Sequence, residues 1–360
     1  LLKRNCALLE ASKNLETLFR ITCDHGDRIA AYYLEDGQPQ SITFARYRQM
    51  TDDYAAYLRD ACLQGGYVAI AVDTCKEWFP LFWGVIRSGH DALLIDCAMD
   101  DEGTAQLLKQ AGCGVIVATK RKNLGEDVLQ ISAADLFAAP QAADYRPVYG
   151  NNVALCTSGT TGQSRVFVYN GQAVAEQVLA SNLLYEKNKR LLSLGNRRAM
   201  AFLPFHHVLG FMVNLLWFGF LGYANIYVKN RAPETILQTA QCFRPQIMVA
   251  VPLLANNLCA SLQKKLERES YWKRAVFGTM QGVSLTMQRV SPKMGLWLGE
   301  KVLFRDVTEK MLGSELECLI LGGSHTPAEH LRTLNALGDH TVCGSGMARA
   351  TDIRVEPAIV

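Results

Sequence analysis

VAIAVDTCKEWFPLFWGVIRSGHDALLIDCAMDDEGTAQLLKQAGCGVIVA, residues 68–118, is the stretch that decides the fold. It opens with a compact apolar run, Val68 to Val72. From Glu77 to Ser88 the spacing turns helical, with Trp78, Leu81, Phe82, Val85 and Ile86 on one side. Ala92 to Ile95 is a second apolar run. Asp101 to Gln110 is again helical, and its opening acids suit the positive end of a helix. Gly114 to Ala118 is the third run. Continuous apolar strands joined by helices predict βαβ units, in which a parallel sheet is covered on both faces.

The alternation returns downstream. Ala199–Leu203, Ala224–Val228, Ile247–Val251 and Leu319–Leu321 read as strands. Pro233 and Pro252 sit at helix starts, where a missing N–H costs nothing. The class is therefore α/β, with two mostly parallel sheets flanked by helices in layers. We expect an N-terminal segment over 1–62 that packs on the second sheet unit. A first α/β subdomain over 63–198 and a second over 199–360 follow. Ala30–Leu34 in the early segment reads as a strand, and Phe44–Arg59 as a helix. Gln130 to Gly150, rich in alanine and proline, reads as a linker.

Composition narrows the function classes. Lys and Arg number 37 against 34 acids, a net charge of +3, too near neutral to suggest nucleic acid. The 49% of hydrophobic residues can fill a large core. The 11 cysteines lack any zinc-ligand rhythm and several lie in apolar runs. They read as reduced, buried residues of a cytoplasmic protein. No secretory leader is expected. Val208 to Tyr223 is apolar for 16 residues, short of the ~20 that span a bilayer. It reads as a buried helix running toward a strand.

Residues 153–166, VALCTSGTTGQSRV, carry the chemistry. An apolar strand runs into a loop of glycines and hydroxyl residues, then out through Val166–Tyr169 to a helix near Gln172. Glycines let backbone N–H groups turn inward, and hydroxyls add donors, making a cradle for phosphate oxygens. Arg165 adds a fixed positive charge. A P-loop is excluded, since the glycines are too close and no lysine follows. The dinucleotide pattern GxGxxG is also absent.

This loop resembles the TSGTTGxPKG motif of the adenylate-forming superfamily. Thr157, Ser158, Gly159, Thr160, Thr161 and Gly162 match it in full; Ser164 replaces the proline and Arg165 the lysine. Leu203 to Gly210, LPFHHVLG, resembles the family's LPxxHxxG segment, which makes His207 the functional histidine and leaves His206 structural. Gly322, Gly323 and Ser324 resemble the GGAP-type turn that lines the adenine pocket. Residues 342–349 fall where the family has YGxTE. Only Gly346 survives there, with Ser345, Ala348 and Arg349 in place of the aromatic, the threonine and the magnesium-binding glutamate. A guanidinium cannot ligate Mg²⁺, so no metal ligand is assigned.

Residues 301–313 and the helical stretch 271–300 look like long-chain acyl-CoA ligases. The resemblance implies activation of a carboxylic acid by ATP to acyl-AMP, and transfer of the acyl group to coenzyme A. Mg²⁺ is expected from the family. His207 and Arg165 would act on the reacting groups, and the loop glycines and hydroxyls would hold the nucleotide. Phe211 to Phe220 would suit the wall of an acyl tunnel. Residues 264–310 hold ten basic residues against five acids, an excess that would suit an anionic membrane. The family's later hinge and C-terminal lid, with its catalytic lysine, do not occur in the 360 residues. Two alternatives stay open: an impaired nucleotide- or acyl-binding relative, and an adenylating enzyme for another acid or a carrier-protein thiol. Chain length of the acid and oligomeric state are not legible.

Overall fold

The structure is a computed structural model. It describes residues 2–62, 65–157, 165–189, 192, 195–304, 315–322, 327–337, 340–345 and 354–357. The chain separates into two compact units. The first comprises residues 1–183, 194–196 and 202–229, and the second comprises 184–193, 197–201 and 230–360.

The first unit opens with α1 (Leu2–Ala11), α2 (Leu15–Cys23), β1 (Ile29–Glu35), β2 (Gln38–Thr43) and α3 (Phe44–Ala61). Then come β3 (Tyr67–Ala71), α4 (Trp78–Arg87), β4 (Asp91–Leu94), α5 (Asp101–Ala111) and β5 (Val115–Ala118). These are the predicted βαβ units. β6 (Leu129–Ser132), α6 (Ala133–Phe137), β7 (Asn152–Thr157), β8 (Arg165–Asn170) and α7 (Gly171–Lys187) follow. The six strands form one sheet in the order β6-β5-β3-β4-β7-β8, parallel except for the β7–β8 pair. Val68, Ala69, Ile70, Leu93, Leu94, Ile116 and Val117 are fully buried, as strands covered on both faces require.

Local chemistry sets the element ends. The Asp100 carboxylate accepts the Gly103 N–H at 2.8 Å to start α5, and Gly112 closes it in the left-handed region at φ 61°. Buried Arg87, at the end of α4, pairs with Asp52 of α3 and lies 4.4 Å over the Phe19 ring of α2. That cation ties three helices together. The stretch 130–150 is not all linker. Ile131 of β6 is buried, and β6 pairs with β5 at the sheet edge. Four residues with one core contact give too short a pattern to read as a strand.

The second sheet is mixed. β1 pairs with β2 in antiparallel fashion and with β10 (Ala224–Tyr227) in parallel. All three strands are strands of this second sheet, and their residues fall within the first compact unit. The apolar stretch before β10 is helical, but Gly210–Trp217 forms a π-helix, followed by α8 (Phe218–Leu221). Phe211, Leu215, Leu216, Trp217, Phe218 and Phe220 are buried in the core, the Phe211 ring 5.0 Å from Phe82. They are core side chains. Met212 and Val213 are the half-buried members of that run.

The second unit carries β9 (Arg198–Ala201), α9 (Pro233–Phe243), β11 (Ile247–Ala250) and α10 (Pro252–Glu267). Next are α11 (Tyr271–Val290), α12 (Pro292–Leu298), β12 (Cys318–Gly322), α13 (Ala328–Ala336), β13 (His340–Ser345) and β14 (Arg354–Pro357). Its strands run in the order β14-β13-β12-β11-β9, parallel except for β13–β14. α11 and α12 pack face to face: a Cβ on Gly295 of α12 would lie 2.3 Å from the Gln288 nitrogen of α11.

Candidate functional site at the carboxyl edge of the first sheet

Parallel sheets bind ligands outside the carboxyl ends of their strands, because crossover loops and helix N-termini gather there. In the first unit β3, β4 and β7 end at one edge. The Thr157 backbone of β7 pairs with Arg165 of β8, so the loop 158–164 leaves from that edge and returns to it. Ser158, Gly159, Thr160, Thr161 and Gly162 lie outside the described residues. Arg165 is exposed at the start of β8.

β4 and β7 are in register, Leu94 opposite Leu155. β4 ends at Leu94 and β7 at Thr157, and Asp96 stands two residues past the end of β4. The Asp96 carboxylate lies 3.8 Å from Nε2 of His206, which is buried. The His206 and His207 rings are 4.2 Å apart and tilted by 57°. His207 itself is exposed. The chain thus brings an exposed imidazole, backed by a buried imidazole and a carboxylate, to the edge from which the glycine-rich loop springs.

The 203–210 segment is held by three contacts. The Thr74 hydroxyl, past the end of β3, donates to Leu203 O at 3.2 Å and accepts the Phe205 N–H at 3.1 Å. Phe205 is buried edge-on against Trp78 at 5.3 Å. Gly210 lies so close to the turn that a Cβ there would meet Pro204 O at 2.4 Å. The glycine of LPxxHxxG is therefore a steric requirement. It also starts the π-helix, in which Asn225 Nδ2 donates to the buried Asn214 carbonyl at 2.9 Å. Such helices frequently mark functional sites.

Sequence reading missed Asp96 and Thr74. Each is a polar residue just past the carboxyl end of a parallel strand, which is the signal that would have found them. Cys23, Cys62, Cys75, Cys113, Cys156 and Cys242 are free thiols. Burial pushes the Cys156 thiol, one residue before Thr157, up to about 12. It stays protonated and is no nucleophile. In the second unit, Gly322 is the buried last residue of β12, opposite Gly344 of β13. Gly323, Ser324 and Gly346 lie outside the described residues, as do Ala348 and Arg349. Among the described residues no group of three or more His, Cys, Asp or Glu could hold a metal ion. A depression of about 790 Å³ lined by Gly65, Gly112 and Arg121 opens at the amino ends of β3 and β5, the far edge from the loops. It is not the candidate site.

A family model described as "AMP-binding enzyme" matches residues 19–351. The chain is similar to long chain acyl-CoA synthetase 8 of Arabidopsis thaliana, 22% identical over 320 residues, 74% of this chain and 43% of that protein. It therefore spans less than half the length of this relative. The N-terminal subdomain of Klebsiella oxytoca NpsA, solved with 3-hydroxybenzoyl-AMSN, superposes with a TM-score of 0.67 at 13% identity. That match covers 96% of this chain and 76% of the other. The N-terminal domain of FACL13 from Mycobacterium tuberculosis gives 0.66 at 17% identity, over 94% and 77% of the two chains. At such identity these structures speak for the fold: two mixed, mostly parallel sheets flanked by helices, as in N-terminal domains of adenylate-forming enzymes. The match over residues 19–351 decides membership, and the chain belongs to the AMP-binding enzyme family.

Proposed function

We propose that this chain is the acid- and nucleotide-binding part of an enzyme that activates a fatty acid with ATP and passes the acyl group to coenzyme A. In the first step a carboxylate oxygen attacks the α-phosphorus. The bond to the bridging oxygen breaks, and pyrophosphate leaves with the electron pair. In the second, a thiol sulfur attacks the acyl carbon. The acyl–phosphate C–O bond breaks, AMP leaves, and the thiol proton passes to solvent. The protein's part is positioning and charge stabilisation. Residues 157–162 with Arg165 hold the phosphates, His207 sits by the carboxylate, and Gly322, Gly323, Ser324 and Gly346 border the adenine.

One juxtaposition carries this reading. β7 ends at Thr157, where the loop 158–164 begins, Asp96 lies just past the end of neighbouring β4, and the Asp96 carboxylate faces the His206 ring that backs His207. Mg²⁺ is given no step: Arg349 occupies the glutamate position, and a guanidinium is no ligand for a hard cation. Free cysteines support a reducing, cytoplasmic setting.

Acid-dependent exchange of labelled pyrophosphate into ATP by the full-length gene product tests the proposal. Exchange with a fatty acid is expected. ATP binding without exchange for any acid would favour an impaired relative, the reading motivated by Ser345, Ala348 and Arg349. In that case Arg349→Glu should restore exchange. Exchange driven by an aryl or amino acid alone would instead indicate another acid and a carrier-protein thiol.

A further inference from the structure

On α11, Val276, Val283 and Val290 recur every seventh residue, and so do Trp272, Thr279 and Thr286. The two series interleave at steps of four and three, the spacing of a coiled-coil seam. All six residues are exposed, the four apolar ones by 46–80%. The other side of α11 is packed. Ser284 is buried, Phe277 meets Phe304 at 4.9 Å, and Gln288 Nε2 donates to Asn335 O at 2.8 Å. The seam therefore faces away from the core of its unit.

Its chemistry fits a second helix. None of the six residues is charged. The Thr279 hydroxyl already donates to Ala275 O at 2.9 Å, so its polar atom is satisfied within α11. Ala275 and Gly282 border the seam on one side, and a Cβ on Gly282 would meet nothing within 4 Å. Small residues there let another backbone come close. β-branched side chains in one series of a seam favour two strands. An anionic lipid surface would find little to hold. Lys273 is paired with Glu269 at 2.7 Å, and Arg274 lies on the far side of the helix, which leaves Arg289 at the border.

We infer that the seam of α11 packs against the same seam of a second copy of this chain, antiparallel about a twofold axis. A register centred on residue 281 sets Trp272 against Val290, Val276 against Thr286 and Thr279 against Val283. Each pairing occurs twice, as an interface between identical surfaces requires. Antiparallel helices also bring dipole ends of opposite sign together. Arg289, on the border with Ala275, then meets the indole of the second copy's Trp272 as a cation–π pair. In a parallel pair it would face its own counterpart and be repelled. α11 has 20 residues and is about 30 Å long. It offers less than the ~800 Å² per partner of a standard interface, so the dimer is a weak one, with a Kd on the order of 10 μM.

This needs nothing from the adenylation chemistry and is tested apart from it. Sedimentation equilibrium of the full-length gene product, from about 1 to about 100 μM, reads the association. A monomer–dimer equilibrium is expected. Val283→Glu and Thr279→Lys each place a charge in the seam and should weaken pairing at least about tenfold. Mixed in equal amounts, the two variants should pair again, because the register sets position 283 of one copy against position 279 of the other with opposite charges. Both positions are exposed in the single chain, and recovery on mixing cannot come from a misfolded variant. A monomer at every concentration, a dimer that either variant leaves intact, or a mixture that stays monomeric overturns the inference. So does a monomer that instead sediments with lipid vesicles; the seam would then be a membrane contact.

Discussion

Gly210→Ala puts the positioning of His207 to a direct test. The added Cβ would sit 2.4 Å from Pro204 O, 3.0 Å from Pro204 C and 3.3 Å from Leu203 Cβ. The first two are backbone atoms and cannot rotate away. The turn 203–207 is itself fastened to Thr74 and wedged by Phe205 against Trp78. Relief therefore requires about 0.6 Å or more of backbone movement, since real Cβ contacts do not fall below 3.0 Å. Overpacking of this kind costs about 1–3 kcal/mol. Replacing glycine within a helical segment returns about 0.5–1 kcal/mol. The net loss is about 1–2 kcal/mol, or roughly 2–8 °C in Tm for a unit of this size. The larger effect falls on activity, because displacing a positioned group by 1 Å costs on the order of 100-fold. Thermal denaturation and pyrophosphate exchange measure the two. Gly278→Ala on α11 is the control: its Cβ would meet nothing within 4 Å, so it should stabilise by about 0.5–1 kcal/mol. If Gly210→Ala leaves both Tm and exchange at the parent values, the steric argument for the histidine segment is wrong.

Asp96→Asn removes the charge facing His206. The Asp96 side chain is 42% exposed, so stability should change by less than about 1 kcal/mol while exchange falls; unchanged exchange would remove Asp96 from the site. Asn225→Ala strands the buried Asn214 carbonyl of the π-helix and should cost about 1–3 kcal/mol in urea denaturation. A cost near zero would mean that water takes over that bond. Alkaline pH should unfold the protein for a calculable reason. Burial raises Cys156 from 9.0 to about 12 and Cys113 from 9.0 to about 11, and it also raises Tyr54 and Tyr227 from 10.0. The folded chain holds these protons more tightly than the unfolded chain. Their stabilising contribution is whole below pH 9 and declines as pH rises from 9 toward 12. A Tm that stays flat from pH 8 to 11 would contradict this.

Much of the frame is local and was therefore legible in the sequence. β3, β4, β5, β10 and β11 lie within a residue or two of their apolar runs, and α5 carries its start and stop signals in Asp100 and Gly112. Periodicity and capping act over a few residues, so a linear reading captures them. The position of the glycine-rich loop between two strands was legible for the same reason. β6 was not, because its identity comes from pairing with β5 at a sheet edge rather than from its own pattern.

The constellation at the carboxyl edge was decided by tertiary structure. Thr74 meets Phe205 across 131 positions of chain, and Asp96 finds His206 only because the 203–207 turn is fastened over the end of β3. A run of apolar residues dictates burial, but it does not choose between an α- and a π-helix. The π-helix found here begins at the tight Gly210–Pro204 approach and takes the bond that Asn225 of β10 makes to Asn214. Side-chain type is written in the sequence. The partner that orients each polar group comes from packing, which no local window contains.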